Sequence, residues 1–332
     1  MKIGNVRIDG KLFLAPMADV TNPAFRMLCK KHGAALTYSE MISADAVLHE
    51  NARTTSRGLS SEEEKPFAIQ LFGNSATNIA TAASMIEERY SPDIIDLNFG
   101  CPAKVLVKDG SGSALLDFPE KIGEIVSAVY GKVDVPVTAK IRVLHDMKKT
   151  LDIARIIEEA GAGAITVHGR TQAQQYAGKA EHEYARNIKS ELSIPVIANG
   201  DIVDGLSAKH VFEHTGCDAL MIGRAAMGNP HVFTEIYHFL RTGEQIHTTH
   251  TDGCAQRVAD FKEYVRLLEL YSLREYVDLR MHARWFTRSI KGGRQVRQSI
   301  SGIRDKEALI WLMEGLCAQL PDMATNNDFH GN

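Results

Sequence analysis

The chain has 332 residues, 44% hydrophobic and 24% charged, the profile of a globular enzyme rather than a disordered or fibrous chain. No apolar run approaches the roughly 18–20 residues that span a bilayer, and the opening Met1-Lys2-Ile3-Gly4-Asn5-Val6-Arg7 lacks the apolar core of a signal peptide. The net charge of −3 is unevenly placed: residues 255–332 hold 12 Lys/Arg against 10 Asp/Glu, or +2, which leaves −5 for residues 1–254. A polyanionic partner would meet a local field that the whole-chain charge conceals.

In chain order, Val6-Arg7-Ile8-Asp9-Gly10-Lys11-Leu12 reads as a small hairpin turning at Asp9-Gly10 and closing the bottom of a barrel. Short β-rich apolar runs then predict eight strands, at Leu12–Ala15, Ala35–Ser39, Phe67–Leu71, Ile94–Leu97, Val135–Ile141, Ala164–Val167, Ile194–Ala198 and Ala219–Ile222. Most intervals between them carry helical periodicity. Leu151, Ala154, Ile157 and Ala160, for example, recur before a stop at Gly161-Ala162-Gly163. Eight strand–helix units over about 230 residues predict a (β/α)8 TIM barrel. A doubly wound sheet would show a GxGxxG turn after its first strand, and none is present.

The barrel is expected over residues 1–240, followed by a polar linker over 241–254 and an all-helical domain over 255–332. Within that domain the helical segments run from about Val258 to Leu270, Val277 to Ile290 and Lys306 to Leu320. Five cysteines (Cys29, Cys101, Cys217, Cys254, Cys317), odd in number and without CxxC spacing, speak against a disulfide framework or zinc cluster and for a reducing cytoplasm. Cys29, Cys217 and Cys317 read as structural, and Cys254, in the linker, carries no assignment. No metal, membrane or obligate protein partner is called for.

In a barrel all strand ends open into one mouth, the face that carries active sites. The predicted ends here are Pro16-Met17-Ala18, Glu40, Gln70, Asn98 with Cys101, Lys140 with Arg142, His168 with Arg170, Asn199-Gly200-Asp201 and Gly223-Arg224. Polar tips on nearly every strand are poor core packing and good chemistry. Asn199-Gly200-Asp201 and Gly223-Arg224 follow the last two strands, where barrels bind phosphate: the glycines bring backbone N–H groups to an anion, and Arg224 adds a guanidinium fork. Gln70, Lys140 and His168 form a set suited to a flavin ring, since an amide can pair with its carbonyl and N–H edge and a cation can stabilise negative charge on reduction. An unpaired lysine at a buried strand end would be expensive as structure. Cys101 sits on a polar strand-end turn, which favours chemistry over the buried small hydrophobe that a lone cysteine usually is.

Taken together, Ala15-Pro16-Met17-Ala18, Ser39-Glu40-Met41, Gln70-Leu71-Phe72-Gly73, Asn98-Phe99-Gly100-Cys101-Pro102, Gly110-Ser111-Gly112-Ser113-Ala114-Leu115-Leu116, Lys140-Ile141-Arg142, His168-Gly169-Arg170, Asn199-Gly200-Asp201-Ile202 and Gly223-Arg224-Ala225 resemble the tRNA-dihydrouridine synthases over nearly the whole chain, closest to the B-type bacterial branch. The resemblance implies that Pro16, Met17, Ala18, Gln70, Lys140, His168, Asn199, Gly200, Asp201, Gly223 and Arg224 carry FMN, and that Asn98, Arg142 and Arg170 face the uracil or its nearby backbone. It implies that NADPH or NADH reduces the flavin, that hydride passes to C6 of a uracil in the tRNA D-loop, and that Cys101 protonates C5 from the opposite side. Thiols titrate at about 8.5 and so hold their proton at neutral pH, as an acid must. Lys140 and Arg142 could stabilise enolate-like charge as hydride arrives. One departure is the segment Val143-Leu144-His145-Asp146-Met147-Lys148-Lys149, compact and glycine-free where bacterial relatives carry a longer loop.

Between Arg280 and Arg304 lie seven basic residues and no acidic one. Arg280, Arg284 and Arg288, at i, i+4 and i+8, are expected on one helix face, with Lys291, Arg294 and Arg297 extending the charge. The stripe reads as a tRNA phosphate grip that recognises shape and backbone, with Trp285 and Phe286 as helical core. Two other classes share these features: an FMN barrel acting on a free pyrimidine, which leaves the stripe unexplained, and a non-catalytic tRNA-binding protein, which leaves Cys101, Lys140 and His168 unexplained.

Overall fold

The computed structural model describes residues 1–51, 56–246, 250–303 and 305–318. A short antiparallel hairpin of β1 (Lys2–Ile3) and β2 (Val6–Arg7) precedes the main sheet. Its turn is Gly4-Asn5; the expected Asp9-Gly10 turn instead leads from β2 into the first barrel strand. The reason is spatial. Gly4, at φ +56°, lies against Pro136, where a side chain would come within 2.7 Å of the proline ring.

The barrel strands are β3 (Leu12–Leu14), β4 (Thr37–Tyr38), β6 (Phe67–Phe72), β7 (Ile94–Phe99), β8 (Val137–Arg142), β9 (Ala164–His168), β10 (Val196–Asn199) and β11 (Ala219–Ile222), with β5 (Ile42–Ser43) paired to the end of β6. They run in the order β3-β11-β10-β9-β8-β7-β6-β4, all parallel. A parallel bridge between Phe13 and Leu36 closes the circle, with Leu14 N–H donating to Leu36 O at 2.9 Å and Ala35 N–H donating to Leu12 O at 2.8 Å. This is the expected (β/α)8 barrel. Capped helices separate the strands: Asn22, Ser75 and Asp146 each accept from a backbone N–H of the helix that follows. The compact 143–149 segment is one such cap, with Asp146 accepting from Lys149 N–H and Leu144 N–H donating to Thr150 Oγ1.

Strand side chains alternate between faces with period two. One face of most strands packs on the helices and is apolar, as with Ile95, Leu97 and Phe99 or Val137, Ala139 and Ile141. The other face changes character along its length. Phe13, Ala68, Ile94, Ala164, Ile197 and Ala219 form one apolar cluster at the bottom, plugged by Ile3 and Ile8 of the N-terminal segment. Two and four residues further on, the same face becomes polar: Gln70, then Asp96 and Asn98, Thr138 and Lys140, Thr166 and His168, and Asn199. The strands therefore seal one end of the barrel and build a site at the other.

The chain divides into two compact units, one of residues 1–226 with 230–245 and one of residues 227–229 with 246–332. In the second unit, the helices His250–Leu270, Leu279–Phe286, Gly293–Ser299 and Lys306–Ala318 depart from expectation in three ways. The first helix begins at His250, inside the expected 241–254 linker. Cys254 is buried on that helix and bonded to Cys317, so the cysteines are not all unpaired. The pairing escapes a reading by spacing because its partners stand 63 residues apart. Contacts of 254 with 317, Lys262 with Glu314 and Lys306 with Glu269 run in opposite order and make these helices antiparallel. Thirdly, the helix bearing Arg280 and Arg284 ends at Thr287, whose hydroxyl donates to Arg284 O, and Ser289 turns to φ +62°. Arg288 lies beyond it. Phe286 is fully buried against Phe261, and Trp285 packs edge-on to His282. Among the described residues no helix is long and apolar enough to cross a membrane, and no His/Cys/Asp/Glu group could hold a metal ion.

Candidate active site

Strand register brings the polar tips together. Asn98 lies opposite Lys140, Arg142 opposite His168, and His168 opposite Asn199. Cys101 follows β7 on a partly exposed turn, and its thiol is free. Asn98 Oδ1 accepts from Gly100 N–H at 3.1 Å and Cys101 N–H at 2.9 Å. Ser113 donates to Cys101 O through both N–H (3.0 Å) and Oγ (2.9 Å). Gly112, at φ +62°, makes this possible, since a Cβ there would stand 2.8 Å from the same carbonyl. The cysteine backbone is thus held on both sides.

Lys140 Nζ donates to Asn199 Oδ1 at 3.1 Å, and Asn199 Nδ2 donates to Met221 O at 2.7 Å. Burial first, and then the Arg142 charge, push the Lys140 ammonium down to about 8, against the pull of Asp96 and Cys101. His168 is pushed down to about 2 by burial and by Lys140, Arg142, Arg170 and Arg224, so it is a neutral ring. Four cations share this mouth with the carboxylates of Asp96 and Asp201, and the surplus of positive charge suits an anionic ligand.

Two of the expected uracil-facing residues are committed to the loop above the mouth. Arg142 is buried and donates through Nε to Gly100 O (2.8 Å) and through Nη1 to Thr171 O (2.9 Å) and Gln175 O (2.8 Å). Arg170 is equally buried, donating to Ala177 O at 3.1 Å and Gly178 O at 2.7 Å and to both oxygens of Asp201 at 2.8 Å. Asp201 also accepts from Ala180 N–H (2.8 Å) and Arg224 (3.3 Å). Burial opposes its charge, but the Ala180 N–H and Arg170 outweigh it and hold the carboxyl below its usual range. The loop so fastened presents Tyr176, 59% exposed, beneath the guanidinium carbons of Arg224 (5.0 Å from the ring centre) and Arg142 (5.8 Å).

At Gly200, φ +118°, a Cβ would meet Ala180 Cβ at 2.6 Å and His168 Cδ2 at 3.0 Å, so only glycine closes this turn over the imidazole. At Gly223 the missing side chain leaves room between Ala15 and Met17, whose atoms would stand 3.6 and 3.8 Å from a Cβ. Pro16 and Met17 are partly exposed and Ala18 exposed beside that opening. A planar ring with a phosphate tail fits this donor set: amide at Gln70, cation at Lys140, neutral imidazole at His168, small turns at Gly200 and Gly223, and guanidinium at Arg224.

Asp96, Thr138 and Tyr176 belong to this site and were not singled out from the sequence. Asp96 and Thr138 did carry a signal, being polar residues at the same parity as Asn98 and Lys140 inside otherwise apolar runs. Tyr176 had none.

The dihydrouridine synthase family model matches residues 13–321. The chain belongs to the dihydrouridine synthase family. It is 40% identical over 316 residues to tRNA-dihydrouridine synthase B of Pseudomonas putida, covering 93% of this chain and 91% of that protein. It is 39% identical over 318 residues to the synthase B of Proteus vulgaris, covering 95% and 97%. These likenesses place it in the B-type bacterial branch. A 2-naphthoyl-CoA reductase shares the fold at TM-score 0.56 and 12% identity, over 72% of this chain and 51% of that one.

In the second unit, Arg280 pairs with Asp278 at 3.1 Å, Arg284 donates to Ser301 Oγ at 2.6 Å, and Arg297 donates to Thr287 O at 2.6 Å. Arg288, Lys291 and Arg294 are exposed and form no ion pair among the described residues. Arg304 lies outside the described residues.

Proposed function

We propose that this enzyme reduces a D-loop uridine of tRNA to 5,6-dihydrouridine, with bound FMN, a reduced nicotinamide (NADPH or NADH) as donor, and Cys101 as the acid. The observation that carries the reading is the Cys101 turn, a free thiol whose backbone is pinned from both sides and whose charge would be felt by Lys140 and Arg142. When bound, FMN supplies the hydride that C6 accepts. Lys140 and the neutral His168 hold the ring, and Arg224 with the Gly200 and Gly223 turns holds the phosphate. With a pKa of about 8, Lys140 is mainly cationic at neutral pH and can also stabilise charge growing on the uracil carbonyl. Cys101 delivers its proton to C5, and Asn98 orients the base.

The helical unit grips the RNA backbone chiefly through Arg288, Lys291 and Arg294, which form no ion pair among the described residues, while Arg280, Arg284 and Arg297 brace the fold and add to the field. The target base must leave its stack to reach a barrel mouth, which a loop permits cheaply. A cytoplasmic location belongs to this reading through the tRNA substrate and not through the cysteines, two of which are bonded.

The test is direct. Purified protein is incubated with FMN, NADPH and unmodified tRNA, and the digested RNA is read by mass spectrometry for a uridine that has gained two hydrogens. The expected result is a D-loop product that disappears with Cys101→Ala. Oxidation of NADPH with a free pyrimidine, and none with tRNA, would overturn the assignment.

A further inference from the structure

Inside the barrel a run of side-chain hydrogen bonds leads from Asp96 to the Cys101 turn. Asp96 Oδ2 accepts from Gln70 Nε2 at 2.6 Å, and Gln70 Oε1 accepts from Asn98 Nδ2 at 2.8 Å. Asn98 Oδ1 accepts from the N–H groups of Gly100 and Cys101. All three side chains are buried, Asp96 completely. An amide donates from one end and accepts at the other, so the sense of such a chain is set by its termini. At the turn, two backbone N–H groups demand an oxygen. At the far end Asp96 must offer an acceptor. Reversing either amide would set donor against donor.

Resting on the role proposed above for Cys101, we infer that Asp96 is a positioning residue: by accepting from Gln70 it fixes both amides and so holds the backbone that presents the Cys101 thiol. The surroundings agree. Thr138 Oγ1 from β8 donates to Asp96 Oδ1 at 2.6 Å, and the other charged or titratable groups that act on Asp96 are Lys140 from β8 and Tyr38 from β4. Burial raises the Asp96 carboxyl to about 6, which leaves it ionised and acceptor-only at neutral pH. Gln70 and Asn98 thus carry a structural duty toward the thiol beside any contact with ligand.

The inference separates acceptor from charge. Asp96→Asn removes the charge but keeps an oxygen for Gln70, because the Thr138 hydroxyl can rotate to accept from the new amide. Asp96→Leu fills the space and removes the acceptor. The primary readout, independent of turnover, is NMR hydrogen exchange of the Gly100 and Cys101 amides in the full chain. In Asp96→Leu we expect exchange faster by about tenfold or more, as for a lost buried hydrogen bond, and in Asp96→Asn near wild type. With flavin bound, Asp96→Leu should slow reoxidation of the reduced flavin by tRNA more than it slows reduction of the flavin by NADPH. The NADPH step is not spared, because Gln70, which donates to Asp96, also belongs to the flavin's donor set.

Equal damage in both variants would mean that charge matters, and equal loss of both half-reactions would mean a general structural fault; either overturns the inference. So would unprotected Gly100 and Cys101 amides in the wild type, a result that needs no variant to fold. Asp96→Ala replaces the leucine variant should the latter not fold. If wild-type protein fails to reduce tRNA uridine, the functional reading falls, while the exchange experiment still decides the role of Asp96.

Discussion

Asp201→Asn tests the loop architecture of the mouth most sharply. Asp201 stands at φ +51°, a left-handed conformation that asparagine tolerates well, so the substitution changes charge with little backbone strain. It leaves the Arg170 guanidinium, 2% exposed, facing a neutral amide in place of the carboxylate that took both 2.8 Å contacts. It also risks setting an NH2 against Ala180 N–H. Breaking a fully buried ion pair costs about 3–5 kcal/mol. The Asp201 side chain is 34% exposed and reached by water, so screening brings the expected loss to about 2–3 kcal/mol. Arg224, half exposed at 3.3 Å, adds little.

The assay is urea unfolding followed by circular dichroism at several pH values. Asp201 is held below the ordinary carboxylate range in the fold, so its stabilisation is complete above about pH 4 and is lost as pH falls through the lowered folded value. The wild-type and variant curves should therefore differ constantly from pH 5 to 8 and converge in acid. A difference below about 0.5 kcal/mol at pH 7, the size of an ordinary surface substitution, would refute the reasoning. So would a gap that widens on acidification.

Other perturbations follow from the same contacts. Glu64→Gln leaves Arg26, fully buried, without the carboxylate that Nε meets at 2.5 Å, and should destabilise the protein by about 3–5 kcal/mol in the same unfolding assay. Reduction of Cys254–Cys317, or Cys254→Ser, should weaken the helical unit by about 4 kcal/mol from a 63-residue separation, read as a lower unfolding midpoint with reductant than without. Because Lys140 loses its proton near pH 8, FMN affinity measured by fluorescence quenching should fall between pH 7 and 9, and Lys140→Met should abolish that dependence.

The barrel was legible because parallel strands buried on both faces leave apolar runs of the right length, and every one of the eight lies within a few residues of its predicted place. The candidate residues at strand ends were legible too, since a barrel topology sends all such ends to one mouth. Their division of labour was not. Arg142 and Arg170 look alike in sequence to a ligand-facing arginine, and only the fold shows each spending donors on loop carbonyls.

In the helical unit, an i, i+4, i+8 spacing fits one continuous helix but cannot reveal a stop at Thr287, whose carbonyl meets the Arg297 guanidinium from ten residues away. The Cys254–Cys317 pairing and the Asp96–Gln70–Asn98 chain share that character. Sequence by itself determined what depends on local periodicity and residue chemistry: the repeated strands, the polar tips and a cysteine on a strand-end turn. Tertiary structure alone decided which polar group meets which, because hydrogen bonds and disulfides join residues by distance in space, and short-range patterns in a chain carry no record of that distance.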